Sequence, residues 1–88
     1  MLRITPIENP EAGSQQLMLE GRLVGPWVRE LQTAVLVAVS GPGPVQLDLS
    51  GVHFADAEGL TLLHQLLDQG IVLREVSPFV EELLKLKP

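Results

Sequence analysis

The chain has 88 residues, 45% of them hydrophobic, no cysteine and a formal net charge of −5. That length makes one domain, residues 1–88, with a single modest core. The acidic balance argues against a nucleic-acid binder, which needs a basic footprint, and the missing thiols exclude disulfides, thiolate metal sites and cysteine nucleophiles.

In chain order, "LRITPIE" alternates and reads as a first strand, with Pro6 pointing to a sheet edge. "NPEAGS" (Asn9–Ser14) is a turn by composition. "QQLMLEGRL" (Gln15–Leu23) sets Leu17, Leu19 and Gly21 against Met18 and Glu20, a second strand hairpinned to the first. "VGPW" then punctuates, and Pro26 suits the first turn of a helix. From Trp27 to about Ser40, Trp27, Val28, Leu31, Ala34, Val35 and Ala38 recur at helical spacing. Leu36 and Val37 then fall near the polar face, as an exposed apolar patch. "GPGP" (Gly41–Pro44) stops that helix.

"VQLDL" (Val45–Leu49) is a third, short strand. Asp56 is placed to cap the next helix, since a carboxylate can accept from the free N–H groups of its first turn. In that helix Leu60, Leu63, Leu66 and Leu67 form one stripe, and Thr61, His64, Gln65 and Asp68 the opposite one. Gly70 ends it in the left-handed conformation. "IVLREV" (Ile71–Val76) is a fourth strand. "SPFVEELLKL" has Ser77 as cap, Pro78 at the first helical position and lysines last, matching the helix dipole. The order β-β-α-β-α-β-α predicts an α/β domain with a mainly parallel four-stranded sheet packed against helices. The longest apolar run, "AVLVAV", is too short to cross a bilayer, and no secretion signal is apparent at the N-terminus. We therefore expect a cytoplasmic protein without membrane insertion.

Several clusters invite a chemical reading. Ser50, His53 and Asp56 fall together in what reads as one loop. A nucleophile triad requires members brought together from rigid elements beside an oxyanion hole, and local clusters rarely meet that test. His53, Asp56 and Glu58 match no metal-ligand spacing. Asp48 reads either as a buried acid or as the polar side of an alternating strand. "GPGP" precedes a strand, so it is no phosphate loop. The sequence thus implies no enzyme activity and no cofactor. The helix start remains. Negative charge there is favoured by free N–H groups and the helix dipole, which fully accounts for Asp56. Glu58 falls on the exposed face with Thr61 and Gln65, and Gly59 behind it leaves room for an approaching partner.

The stretch "LDLSGVHFADAEGLTLLHQLLDQGIVLREVSPFVEELL" resembles the core of a STAS domain, the fold of bacterial anti-sigma factor antagonists. Leu47-Asp48-Leu49, Gly51-Val52, Phe54, Asp56 and Gly59-Leu60 carry the resemblance, and "LEGRL" (Leu19–Leu23) is similar to the segment leading into the family's first helix. The resemblance spans nearly the whole chain and implies a non-catalytic protein-binding role. Family members bind an anti-sigma factor kinase, which phosphorylates a Ser or Thr directly before the Gly-Leu pair. Here that position is Glu58, which cannot be phosphorylated. It is similar to a permanent, weaker version of the phosphorylated state, whose charge would be about −1.5 to −2. Residue 57, often hydroxylated in the family, is Ala57, and Val24 stands where an Asp is usual.

The resemblance implies a partner-binding edge of Asp56, Ala57, Glu58, Gly59 and Leu60, with His53, Val24 and the exposed parts of the first two helices beside it. The partner it implies is a kinase-like anti-sigma ATPase or, alternatively, the ATPase of an ABC-type lipid transporter, on which some short STAS-like proteins ride. Leu36, Val37 and the first strand are candidate surfaces for a homodimer.

Overall fold

The computed structural model describes residues 2–9, 14–41 and 43–85. Its elements are β1 (Leu2–Asn9), β2 (Ser14–Leu23), α1 (Pro26–Val39), β3 (Val45–Ala55), α2 (Ala57–Asp68), β4 (Val72–Arg74) and α3 (Pro78–Lys85). The expected order is present throughout. The strands form one sheet in the order β1-β2-β3-β4. The first pair is antiparallel and the other two are parallel. Pro6 lies on β1, an edge, where a missing N–H is tolerated.

Both parallel crossovers step the same way across the sheet, so right-handed connections put α1 and α2 on one face. The apolar side chains follow. Pro6, Leu17, Leu47 and Leu73 stand in one row across all four strands, with Leu47 fully buried at its centre. Leu19, Leu49, Leu31, Val35, Leu63 and Leu66 complete the core beneath the helices. The opposite face carries Arg3, Thr5, Met18, Gln46, Asp48 and Arg74, the alternate residues of each strand. Gln15 ties the far end of α1 to β2: its Nε2 donates at 2.7 Å to the Ala38 carbonyl, which also accepts from Gly41 N at 3.1 Å.

Several expectations need correction. β3 runs to Ala55, well past Leu49, because the β2–β3 ladder absorbs two irregularities and continues. Ser50 and His53 therefore lie on a strand and not in a loop. β4 is only three residues long, and Glu75 just after it has a φ of 55°, outside the extended range. α3 lies against the second half of β3, beyond the Gln46–Asp48 segment that β4 pairs, and the Ser77 hydroxyl donates to the Val52 carbonyl at 2.9 Å. Ser77 also accepts from Val80 N, as its expected capping role requires.

In α2 the buried residues are Gly59, Leu62, Leu63 and Leu66, while Leu67 is 43% exposed. The buried arc is turned toward α1, which brings in Leu62 and leaves Leu67 at the rim. His64, expected among exposed residues, is half-buried, and its Nε2 is shut off from solvent with no hydrogen-bond partner. Gly70 has the anticipated positive φ of 87°. The expected turn at Asn9–Ser14 lies partly outside the described residues. Its flanks, Asn9 and Ser14, pair as the last rung of the hairpin ladder.

A buried polar atom without a partner costs stability. Replacing His64 by leucine, similar in size and a better helix former, should stabilise the fold by about 1 kcal/mol in urea denaturation. A loss of stability would show that the imidazole makes a bond in solution.

Candidate functional site: the start of the second helix

The β3–α2 junction is held by one carboxylate. Asp56 has extended backbone at the N-cap of α2, and its Oδ1 accepts from Gly59 N at 2.8 Å. Its Oδ2 accepts from Gly25 N at 3.0 Å, at the N-cap of α1. Asp56 N donates to the Leu23 carbonyl at 3.1 Å. One residue thus fastens the starts of both helices to each other and to the end of β2. Gly25, with a φ of 53°, turns its N–H toward Asp56 in a conformation that side-chain-bearing residues rarely adopt.

Gly59 is buried against β2. A Cβ there would lie 2.5 Å from the Leu23 carbonyl oxygen and 3.0 Å from Leu23 Cγ. This corrects the expectation that Gly59 opens the helix start to a partner: the missing side chain lets α2 approach β2 from within. Leu60 is half-buried against the core, and its N–H donates to the Asp56 carbonyl. Val24 is half-buried, with its carbonyl accepting from Trp27 N.

Ala57 and Glu58 are exposed. Glu58 stands on the shared wall of two clefts between α1 and α2. One, of 280 Å³, is lined by Val28, Gln32, Ala57, Glu58, Thr61, Leu62 and Gln65. The other, of 590 Å³, is lined by Gly25, Pro26, Val28, Arg29, Glu30, Gln32 and Glu58. The ion pairs among the described residues join Lys85 to Glu81 and Glu82, so neither Glu58 nor Glu30 has a cationic partner. His53 is exposed on β3 and lines neither cleft.

The Ser50, His53 and Asp56 side chains are not joined by hydrogen bonds. Each Asp56 oxygen accepts from a backbone N–H, and none bonds the His53 imidazole as a triad would require. Asp48 takes the second of its two readings, half-buried on the polar side of β3, where Oδ1 accepts from Ser50 N at 2.9 Å. Among the described residues no group of three or more His, Asp or Glu is placed to hold a metal ion.

The sequence reading assigned none of Val28, Gln32 and Gly25 to a site. Gln32, on α1, and Gln65, on α2, both line the smaller cleft. The "VG" before Pro26 gave only a turn signal, and its bond to Asp56, 31 residues away, has no local signature.

This architecture is that of a STAS domain. The chain belongs to the family described as "Mlab, STAS domain", whose sequence model matches residues 9–87. Among solved structures, it is similar in fold to an antisigma-factor antagonist, STAS domain from Rhodobacter sphaeroides, with a TM-score of 0.63 and 18% identity over 90% of this chain and 95% of that one. No curated protein matches the sequence. Among the described residues no helix is long and apolar enough to cross a membrane.

Two substitutions test the junction. Asp56→Asn keeps one acceptor oxygen but aims an amide donor at the other backbone N–H, and should cost about 1–3 kcal/mol. Gly59→Ala normally strengthens a helix by about 1 kcal/mol. Here it should instead lower the melting temperature, because its Cβ meets the Leu23 carbonyl. A more stable Gly59→Ala protein would contradict the close approach.

Proposed function

We propose that this protein is a non-catalytic protein-interaction module, an anti-sigma factor antagonist-like adaptor, that presents Glu58 as its fixed contact. The observation that carries this reading is the position of Glu58. It is exposed, without a cationic partner among the described residues, and common to both clefts between α1 and α2. The neighbouring Asp56 is committed to the backbone, which leaves Glu58 as the carboxylate available at the helix start. The STAS resemblance assigns this position to a phosphorylated hydroxyl. A glutamate offers part of that charge permanently, so the contact does not depend on a kinase step.

The clefts also indicate the partner's chemistry. Their walls combine aliphatic and amide groups with two carboxylates and one guanidinium, Arg29. A partner helix or loop bearing Lys or Arg among apolar residues would pair with Glu58, and its basic charge would be steered by a chain of net charge −5. The favoured partner is the kinase-like ATPase of a sigma-regulatory circuit. The fixed charge at residue 58 supports a second reading, the accessory subunit of an ABC-type lipid transporter. A constitutively bound subunit requires no phosphate cycle.

Glu58→Lys separates contact from scaffold. Against the purified ATPase captured by the wild-type protein, it should weaken binding roughly tenfold or more, with most of the change lost at high salt. The melting temperature should stay within about 2 °C, as for an ordinary surface substitution. Equal binding by both forms would remove Glu58 from the interface. A kinase-like ATPase as the captured protein supports the first reading, and a transporter ATPase the second.

A further inference from the structure

The face of the sheet turned away from α1 and α2 carries its own charge pattern. By strand alternation and register, its charged residues are Arg3 on β1, Glu20 and Arg22 on β2, Asp48 on β3 and Arg74 on β4. The described strands thus gather here three of the chain's six Lys and Arg residues, but only two of its eleven Asp and Glu. A molecule of net charge −5 shows a positive surplus on one side. All three arginines are exposed, and none has a carboxylate partner among the described residues. From this we infer that the open sheet face binds an acidic segment of a partner protein, in which Asp or Glu residues alternate with apolar ones.

The two carboxylates of the face are turned to other groups. Glu20 stands opposite Arg3 in the ladder, yet its side chain leans over Gly51 on β3: a Cβ at residue 51 would lie 2.9 Å from Glu20 Cγ. Asp48 accepts from Ser50 N. Its ladder neighbour Arg74 donates instead to Gln46 Oε1, at 3.2 Å. Arg22 lies over the Phe54 ring, 5.6 Å from its centroid, and Phe54 contacts Phe79 of α3 with centroids 6.1 Å apart. Stacking holds the guanidinium by its flat side and leaves its N–H edge for a carboxylate fork. Phe79, 54% exposed, adds apolar surface beside it.

Charge and spacing select the occupant. Arg3 and Arg74 stand on the two edge strands, three strand spacings or roughly 15 Å apart. An extended segment covers that distance in about five residues, so two of its carboxylates can meet both arginines while an apolar neighbour rests on Phe54 and Phe79. A continuous anionic surface fits less well, because Glu20 and Asp48 lie between the arginines and would oppose its charges. A peptide places its carboxylates singly. The clefts that hold Glu58 lie across the sheet, beside α1 and α2. An acidic segment here and a basic partner there can therefore be bound together.

An NMR titration of the full chain with the blocked peptide Asp-Glu-Phe-Asp-Glu-Leu-Asp-Glu tests this. Saturable shifts should gather around Arg3, Arg22, Phe54 and Arg74, and binding should weaken at high salt. Arg3→Gln/Arg22→Gln/Arg74→Gln should raise the dissociation constant roughly fivefold or more. All three positions are exposed, so circular dichroism should show that variant folded. Arg29→Gln, on α1, should bind the peptide like the wild type. The matched peptide with Asn and Gln in place of its acids should not shift this face. Absence of saturable shifts on the face would overturn the inference. So would equal binding of the amide peptide, a triple variant that binds like the wild type, or an equal loss with Arg29→Gln. Phosphatidylglycerol vesicles that sediment the wild type but not the triple variant would also overturn it, by making the face a lipid surface.

Discussion

The Asp56 carboxylate joins three parts of the molecule that the chain brings together from a distance. One oxygen caps α2 and the other caps α1, while the same residue's N–H bonds to the end of β2. A helix start leaves several N–H groups without partners, and two such starts lie side by side here. A single neutral side chain would satisfy them less well, because a carboxylate offers acceptor oxygens in both directions. The close approach at Gly59 depends on the same joint: α2 lies near enough to β2 for the cap to reach only because residue 59 has no side chain.

This joint divides the work of the two carboxylates. Asp56 is occupied by backbone groups. Glu58, two residues on, is turned to the clefts between α1 and α2 and pairs with no cation among the described residues. A contact residue gains from standing on a rigid support, since little ordering is then required when a partner arrives. The proposed binding role rests on that arrangement, a fixed charge on a helix start held by its neighbour.

Most of the architecture was legible in the sequence because each element has a local period or a punctuating residue. α1 announces itself through Leu31, Val35 and Ala38, α3 through Ser77 and Pro78, and the β1 edge through Pro6. The extension of β3 was not legible. Its alternation breaks at Ser50-Gly51 and again near His53, where the ladder with β2 shifts register, and a period-2 reading stops at the first break. The buried arc of α2 was misread by one residue, Leu67 for Leu62, because both are leucines and only the position of α1 decides between them. Asp56 was legible as a cap of its own helix. Its second bond, to Gly25, was not, since it spans 31 residues. Glu58 was legible as exposed, whereas the cleft walls given by Val28 and Gln32 depend on how two helices pack.

Amide hydrogen exchange at Gly25 and Gly59, compared between the wild type and Asp56→Asn, tests the joint most directly. If one carboxylate holds both helix starts, the substitution should speed exchange at both amides together while leaving Leu47 and Leu63 in the core protected. Loss of protection at Gly59 alone, with Gly25 unchanged, would mean that Asp56 caps only its own helix and that the two helix starts are held apart by other means.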